Sequence, residues 1–230
     1  MRLSKRLLAL ARLVKAGSRV ADIGTDHGYL PAYLLSEGIS PQVYCCDIHP
    51  LPLERAAQTF SASALFEGVS FRCADGLLGL DSSDTDVIVI AGMGGDLIAK
   101  ILTNGFFDGK HYQDKVFLLQ PMTKAEKLRE YLAKAGFVRE NEQLVEEDKK
   151  IFLIMQCTFD GKEKTISPED AYFGKDHLQT PSELADRYLL NCCARLKKAA
   201  NGKKRGGRSS EYEDRLLAAC HTYRKTRNEK

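Results

Sequence analysis

Apolar and polar residues follow two alternating patterns along residues 3–158. Short β-rich runs alternate with stretches whose apolar residues recur at helical spacing. The pattern predicts strands at 19–23, 42–47, 69–73, 86–91, 115–120, 137–146 and 150–158. It predicts a helix near the N-terminus and further helices at 28–37, 52–63, 96–104 and 124–135. The last two strands have no helix between them, so we expect an α/β fold whose mostly parallel, seven-stranded sheet ends in an antiparallel hairpin.

The remaining residues predict a different architecture. Residues 159–180 are polar with Gly and Pro breaks, which is typical of a linker, and two helical patterns follow, joined by the Gly-containing segment 201–210. The predicted apolar faces comprise Leu184, Tyr188, Cys192, Leu196 and Ala199 in one helix and Tyr212, Leu216, Ala219, Cys220 and Tyr223 in the other. We therefore expect an α/β domain over 1–160, and a linker with an antiparallel helical hairpin over 161–230.

Basic and acidic residues are unevenly distributed along the chain, and this distribution indicates a class of binding partner. Residues 183–230 hold 13 Lys and Arg against 6 Asp and Glu, whereas the preceding 182 residues hold 21 against 25. The first 21 residues contain basic side chains and no acid before Asp22. Basic ends around a mildly acidic middle indicate a polyanionic partner such as RNA. A solvated, solubilising tail is the alternative.

Cysteine spacing and hydropathy narrow the class of protein. The seven cysteines include no C-x-x-C pair, so we expect reduced, buried thiols and no metal site. No apolar run approaches the roughly 20 residues of a membrane span, and the N-terminal segment interleaves Arg and Lys with Leu as in an amphipathic helix. We therefore expect a cytoplasmic monomer that does not bind membranes.

Acidic residues follow the ends of three successive predicted strands. Asp22 and Gly24 belong to ADIGTDHGYLP, the second strand ends in Asp47 with Ile48 after it, and Asp75-Gly76 follows the third. This edge is the ligand side of an open α/β sheet, and a carboxylate at Asp47 could accept both hydroxyls of a ribose. The pattern predicts an S-adenosyl-L-methionine site, with Asp75 placed to meet the adenine amino group. Another nucleotide, or glycines that serve only the turns, are the alternatives.

Two further segments point to the same edge. AGMGG (91–95) follows the fourth strand but lacks the Lys-Ser/Thr of a phosphate-binding P-loop, so we expect Gly92 and Met93 to form the floor of the methionine pocket. LLQPM (118–122) ends the fifth strand. Gln120 and Pro121 are expected beside the pocket, and they resemble the polar-Pro elements that hold a target base in adenine methyltransferases. The alternative is that Pro121 merely stops the strand.

The motifs LSKRL, ADIGTDHGYLP, VIVIAGMGG and LLQPM, in this order, resemble the bacterial tRNA (adenine-22-N1)-methyltransferase family. The resemblance covers residues 3–158 by motif and the remainder by architecture. It implies a Rossmann-like class I methyltransferase fold with a coiled-coil-like helical hairpin at the C-terminal end. It also implies tRNA as substrate, S-adenosyl-L-methionine as cofactor and S-adenosyl-L-homocysteine as product. One departure from the wider superfamily is Asp26, where the generic loop has a glycine.

The implied reaction assigns roles to three neighbouring side chains. Adenine N1 has a lone pair and needs no strong base, but its methylated product is cationic, and the base must be turned out of its stack. We expect Asp26 to stabilise the charge or contact N6, His27 to orient Asp26 or shuttle a proton, and Tyr29 to stack on the base. A helix-capping role is the alternative for His27. The rival functions are methylation of another RNA, a protein or a small molecule, and catalytically silent RNA binding.

Overall fold

Seven strands in the first unit of the chain, Met1–Lys164, form one mixed sheet. The computed structural model describes residues 3–63, 67–81, 83–107, 112–175, 177 and 182–228. The strands are β1 (Val20–Ile23), β2 (Val43–Asp47), β3 (Val69–Cys73), β4 (Val87–Gly94), β5 (Val116–Thr123), β6 (Phe137–Glu147) and β7 (Lys150–Phe159). Their order is β3-β2-β1-β4-β5-β7-β6, with β1 to β5 parallel and β7 antiparallel to both neighbours. The predicted parallel sheet with an antiparallel edge hairpin is confirmed.

Helices cover both faces of this sheet because successive residues of its central strands are apolar. The helices are α1 (Lys5–Leu13), α2 (Tyr29–Ser36), α3 (Pro50–Ser63), α4 (Gly95–Phe107) and α5 (Ala125–Lys134). Val87 and Val89 of β4 join the core that α1, α2 and α3 share, whereas Ile88 and Ile90 join the core under α4 and α5. A sheet buried on both sides reads as a continuous apolar run, as VIVIA does here. This is the expected Rossmann-like arrangement.

No helix in the described part of the chain has the length and apolar character needed to span a membrane.

The order of the strands places a crevice between β1 and β4. From β1 the chain adds β2 and then β3 on one side, and it returns to add β4 and β5 on the other side. The loops that leave β1 and β4 therefore turn in opposite directions and open a gap at their carboxyl ends. Ligands of open α/β sheets bind at such a switch point.

Two strands extend further than their sequences predict. β4 runs to Gly94 with irregular register at Ala91 and Met93, and α4 begins at the next residue. The expected glycine-rich loop is thus an irregular strand end. β5 continues to Thr123, and Pro121 is paired with Met93 within this irregular stretch. The alternative that Pro121 stops the strand is therefore wrong.

A buried ion-pair network joins α5 to the edge hairpin. Arg129, which is fully buried, donates from Nε and Nη2 to the two carboxylate oxygens of Glu142 at 2.7 and 2.9 Å. Arg139 donates from Nη1 to the same carboxylate at 2.8 Å. The register of β6 against β7 shifts between Arg139 and Asn141, which brings Arg139 and Glu142 to one side of the strand.

The second unit, Thr165–Lys230, is helical. It contains α6 (Pro168–Phe173), α7 (Glu183–Arg205) and α8 (Glu211–Asn228). The linker predicted over 159–180 is thus partly wrong, because Ser167 caps α6 and Ala171 and Phe173 are buried. Residues 176 and 178–181 of that predicted linker lie outside the described residues.

α7 and α8 form the predicted antiparallel hairpin, with a shorter connection at 206–210. The Sγ atoms of Cys193 and Cys220 lie 2.7 Å apart in its core, and Lys203 lies 2.8 Å from the Glu213 carboxylate near the connection. The predicted apolar faces are partly wrong: Ala199, Tyr212 and Tyr223 are exposed, whereas Ala200 and Glu213 are buried. Glu213 tolerates burial because Lys203 neutralises it.

Candidate active site

A cleft of 330 Å³ opens at the carboxyl ends of β1 and β4. It is hereafter called the site cleft. Its lining residues are Arg6, Leu7, Asp22, Gly24, Asp26, His27, Gly28, Tyr29, Leu30, Ala91 and Gly92. The volume lies within the range of small-molecule sites. The cleft brings together six of the residues that the sequence assigned to the cofactor and the acceptor: Asp22, Gly24, Asp26, His27, Tyr29 and Gly92.

The floor of the site cleft combines a carboxylate with bare backbone. Asp22 accepts a hydrogen bond from the Thr25 hydroxyl, and burial raises the pKa of its carboxyl group to about 6. Gly24 has a φ of 79°, and the thioether methyl of Met93 occupies the space that a side chain at position 24 would need. The left-handed backbone of the turn therefore favours glycine at this position, whereas the Met93 methyl is the end of a flexible side chain that can move aside.

Asp26 is held by two neighbours at the rim of the site cleft. Its Oδ1 accepts a hydrogen bond of 2.8 Å from Nη1 of Arg55 in α3, and its Oδ2 lies 3.3 Å from Nε2 of His27. The rings of His27 and Tyr29 stack with centroids 5.1 Å apart and planes 9° apart. The N-cap of α2 is Gly28 without a side-chain cap, so the capping alternative for His27 is wrong.

The remaining acidic residues lie at the next strand ends and do not line the site cleft. The backbone N–H of Ala74 donates to the Asp47 carbonyl, which joins the ends of β2 and β3. Oδ1 of Asp47 accepts from the N–H of His49 at 2.8 Å, and Ile48 beside it is exposed. Asp75 is exposed, and a side chain at Gly76 would press on Ile101 of α4. The ends of β2 and β3 therefore form an open shelf that continues from the cleft.

Gln120 lies behind the site cleft and is fully buried. Its Oε1 accepts hydrogen bonds from Nη1 of Arg6 at 2.7 Å and from the N–H of Gly92 at 3.1 Å, and its Nε2 donates to the Pro121 carbonyl. A side chain whose amide is engaged at both ends has no free group for a target base. The structure thus places Gln120 to position Arg6 and Gly92. Arg6 and Arg55 were not predicted as site residues, yet Arg6 lines the site cleft and Arg55 bonds Asp26.

Exposed large apolar side chains mark the same edge of the sheet. Among the described residues of the first unit, all of them lie at or beyond the carboxyl end of a parallel strand: Tyr29, Ile48, Leu51, Leu78, Leu97 and Met122. Apolar surface in such a cluster is typical of a binding site for a partly apolar ligand. The edge can therefore contact flat aromatic groups as well as charged ones.

A larger cleft of 540 Å³ lies at the opposite, amino ends of β1, β4 and β5. Its carboxylate Asp86 is already paired with Arg19, whose Nε and Nη2 donate at 3.1 and 2.8 Å. Parallel α/β sheets bind their ligands at the carboxyl ends. We therefore assign chemistry to the smaller cleft.

No cysteine is among the described residues that line the site cleft. All seven cysteines are free, six of them buried and Cys73 exposed, so the expectation of buried thiols is wrong for Cys73. No cluster of three potential metal ligands occurs within the part of the chain that the structure describes.

Sequence comparisons find relatives for the first unit. A family model described as a methyltransferase domain matches residues 3–155. The tRNA (adenine(22)-N(1))-methyltransferase of Bacillus subtilis strain 168 is 36% identical over 155 residues, which are 67% of this chain and 64% of that protein. The sequence match thus spans slightly less than two thirds of the relative.

Structural comparisons extend over both units of the chain. The crystal structure of the B. subtilis M1A22 tRNA methyltransferase TrmK has a TM-score of 0.80 at 26% identity, covering 96% of this chain and 95% of that one. Streptococcus pneumoniae Sp1610, in complex with S-adenosyl-L-methionine, has a TM-score of 0.84 at 28% identity, covering 96% of this chain and 99% of that one.

Proposed function

This chain belongs to the methyltransferase-domain family, and we propose that it transfers a methyl group from S-adenosyl-L-methionine to N1 of adenine-22 in tRNA. The resemblance inferred from its motifs is confirmed by its similarity to the B. subtilis enzyme. One observation supports the proposal most strongly: acidic residues and glycines meet at the switch point of this sheet, in the 330 Å³ site cleft.

The residues present fit S-adenosyl-L-methionine. When bound, this cofactor supplies a methyl group activated by a positive sulfonium. We assign the amino-acid end to Asp22, Gly24, Gly92 and Met93, because a partly buried carboxylate lies there beside glycines whose backbone a ligand can approach. The shelf at the ends of β2 and β3 takes the nucleoside, with Asp47 and Ile48 at the ribose and Asp75 and Gly76 at the adenine.

The target base enters from the rim of the site cleft. Adenine N1 is inaccessible inside a helix, so the nucleotide must be turned out. Tyr29 is 47% exposed and stacked on His27, which gives an unpaired base a flat surface to rest on. Two more exposed side chains are Leu97, in the first turn of α4 just after β4, and Met122, near the carboxyl end of the neighbouring strand β5. These side chains favour a nucleobase over a purely polar substrate.

The role of Asp26 follows from the charge of the product. The N1 lone pair forms the new bond to carbon as the sulfur–carbon bond breaks, so positive charge moves onto the adenine while the sulfonium becomes a neutral thioether. The Asp26 carboxylate at the rim stabilises that charge as it develops. His27 and Arg55 fix the orientation of the carboxylate. No general base is needed, because N1 loses no proton.

The helical hairpin is the proposed tRNA-binding element. Lys197 and Lys198 lie on the exposed side of α7, and no carboxylate pairs with either among the described residues. Unpaired lysines on one helix face are well suited to a phosphate backbone. The net surplus of seven positive charges beyond residue 182 favours this assignment over a merely solubilising tail. A cytoplasmic location and a monomeric state stay predictions.

Methyl transfer to bulk tRNA with tritiated S-adenosyl-L-methionine tests the function, and primer-extension mapping of N1-methyladenosine tests the nucleotide. The wild type should modify tRNA, and Asp26→Ala should modify it far more slowly. Label on a protein or a small molecule would favour the rival substrates. Tight tRNA binding without any transfer would favour a silent RNA-binding protein.

A further inference from the structure

Arg6 is the one lysine or arginine side chain among the residues that line the site cleft. It belongs to α1 and is partly buried. Its Nη1 donates to Gln120 Oε1 at 2.7 Å, and its guanidinium lies 5.7 Å from the centre of the Phe152 ring. A neutral amide and an aromatic face thus hold the cation in place, and neither neutralises its charge.

The carboxylates of the site cleft leave Arg6 without an ion pair. Asp26 is engaged by Arg55 and His27, and Asp22 accepts from the Thr25 hydroxyl. Among the described residues, no carboxylate lies within ion-pair distance of Arg6. A partly desolvated guanidinium with remaining N–H donors is an incomplete site for an anion. The site cleft therefore presents a positive group at Arg6 and a negative group at Asp22.

We propose that Arg6 binds the carboxylate at the amino-acid end of the cofactor, while Asp22 faces the ammonium group on the same carbon. This inference rests on the proposed function, since it needs a ligand that carries both charges on neighbouring atoms. A guanidinium matches a carboxylate through paired N–H donors. Gln120 is then a positioning residue, because its oxygen holds both Arg6 and the N–H of Gly92.

Two ligands that differ in the amino-acid end test the assignment by calorimetry. S-adenosyl-L-homocysteine has the ammonium and carboxylate groups, whereas 5′-methylthioadenosine keeps the nucleoside and the sulfur and lacks both. Arg6→Met should lower the affinity for S-adenosyl-L-homocysteine by about 10- to 100-fold, which is the expected effect of losing a charge-assisted hydrogen bond. The affinity for 5′-methylthioadenosine should stay within about twofold of wild type, since hydrogen-bond energies at other sites are unchanged.

Two control variants distinguish carboxylate binding by Arg6 from a structural role and from RNA binding. Arg6→Lys keeps the charge without the paired donors and should show an intermediate loss, while Arg12→Met removes an exposed arginine of the same helix and should bind both ligands as wild type does. If Arg6→Met lowered the affinity for both ligands equally, Arg6 would have a structural role. If it left the affinity for S-adenosyl-L-homocysteine unchanged and weakened tRNA binding, Arg6 would be assigned to an RNA phosphate. Either result overturns the inference. A wild type that binds neither ligand would instead overturn the proposed function.

Discussion

The Arg55 guanidinium donates a hydrogen bond of 2.8 Å to the carboxylate of Asp26, across 29 positions of sequence. Both side chains are at least half exposed, at 50% and 62%, so the pair contributes little to folding. Its effect is geometric: it fixes one carboxylate oxygen at the rim of the site cleft. In the proposed reaction, Asp26 would therefore meet an incoming base with its orientation already set, which is the arrangement that electrostatic stabilisation requires.

Asp26→Ala should lower the single-turnover rate of tRNA methylation by about 10²–10³-fold, the scale for removal of one electrostatic stabiliser. Cofactor affinity should change little, and the free energy of unfolding should stay within about 1 kcal/mol because the side chain is exposed. Arg55→Gln is the matched control, since it leaves the carboxylate in place and should cost less. Near-normal turnover in Asp26→Ala would exclude a role in the chemical step.

Asp22→Asn should stabilise the free protein at neutral pH while weakening cofactor binding. Burial raises the folded-state pKa of Asp22 from 3.8 to about 6, so the folded state holds its proton more tightly than the unfolded state. Stability is therefore lost as pH rises from about 4 to 6, and the ionised group costs about 1–3 kcal/mol above that window. Urea unfolding should show the gain at pH 7.5 and none at pH 3.5. A gain of equal size at both pH values would contradict the assigned cause.

Asp47→Asn should reduce the affinity for S-adenosyl-L-homocysteine by about 1.5–3 kcal/mol, the contribution of hydrogen bonds to a charged group. Asparagine keeps an oxygen for the His49 N–H, so the strand end should retain its shape. Calorimetry measures the loss. Unchanged affinity would remove Asp47 from the cofactor site.

Replacing both Lys197 and Lys198 with Gln should weaken tRNA binding. The slope of the logarithm of the binding constant against the logarithm of the salt concentration should become shallower by about 1–2. Binding titrations at salt concentrations from about 50 to about 200 mM measure that slope. S-adenosyl-L-homocysteine binding serves as the internal control and should not change. An unaltered slope would favour the solubilising-tail alternative for this part of the hairpin.

Glu142→Gln should destabilise the first unit by about 3–5 kcal/mol, because Arg129 would keep a buried charge without its counter-charge. The double variant Arg129→Met with Glu142→Leu should recover part of that loss, since it removes the two fully buried charges and leaves only Arg139, whose side chain is 14% exposed, without the carboxylate. Denaturant unfolding of the three proteins measures the difference. Equal loss in the single and double variants would show that shape, rather than charge, determines stability here.

The sequence predicts the sheet well because its strands are buried on both faces and read as unbroken apolar runs, as VIVIA does. It fails where tertiary contacts decide. AGMGG has the composition of a loop, yet pairing with β5 holds it as an irregular strand. The apolar faces of the helical hairpin shift by a residue, so that Ala200 is buried and Ala199 is not, because rotation about a helix axis depends on the partner helix.

The acidic half of the candidate site was predictable and its cationic half was not. The positions of Asp22, Asp47 and Asp75 are predictable because each lies at or just after the carboxyl end of a strand, and parallel strands bring these ends to one edge. Arg6 and Arg55 lie on helices whose orientation no local pattern specifies. In the sequence they are two of 34 basic residues, and only packing brings them to Gln120 and Asp26.

The hydrogen bond between Arg6 and Gln120 joins residues 114 positions apart in the sequence. The backbone N–H of the adjacent Lys5 donates to the carboxylate of Glu147, which is 142 positions away. Contacts of such long sequence separation are slow to form, because closing the loop between the two residues costs chain entropy before the contact stabilises the fold. During synthesis, β1 and its glycine turn can fold well before residue 120 has been added, but the pocket wall cannot. Affinity for the cofactor should therefore arise abruptly in a series of lengthening chains, which makes ligand binding a sensitive reporter of complete folding of the first unit.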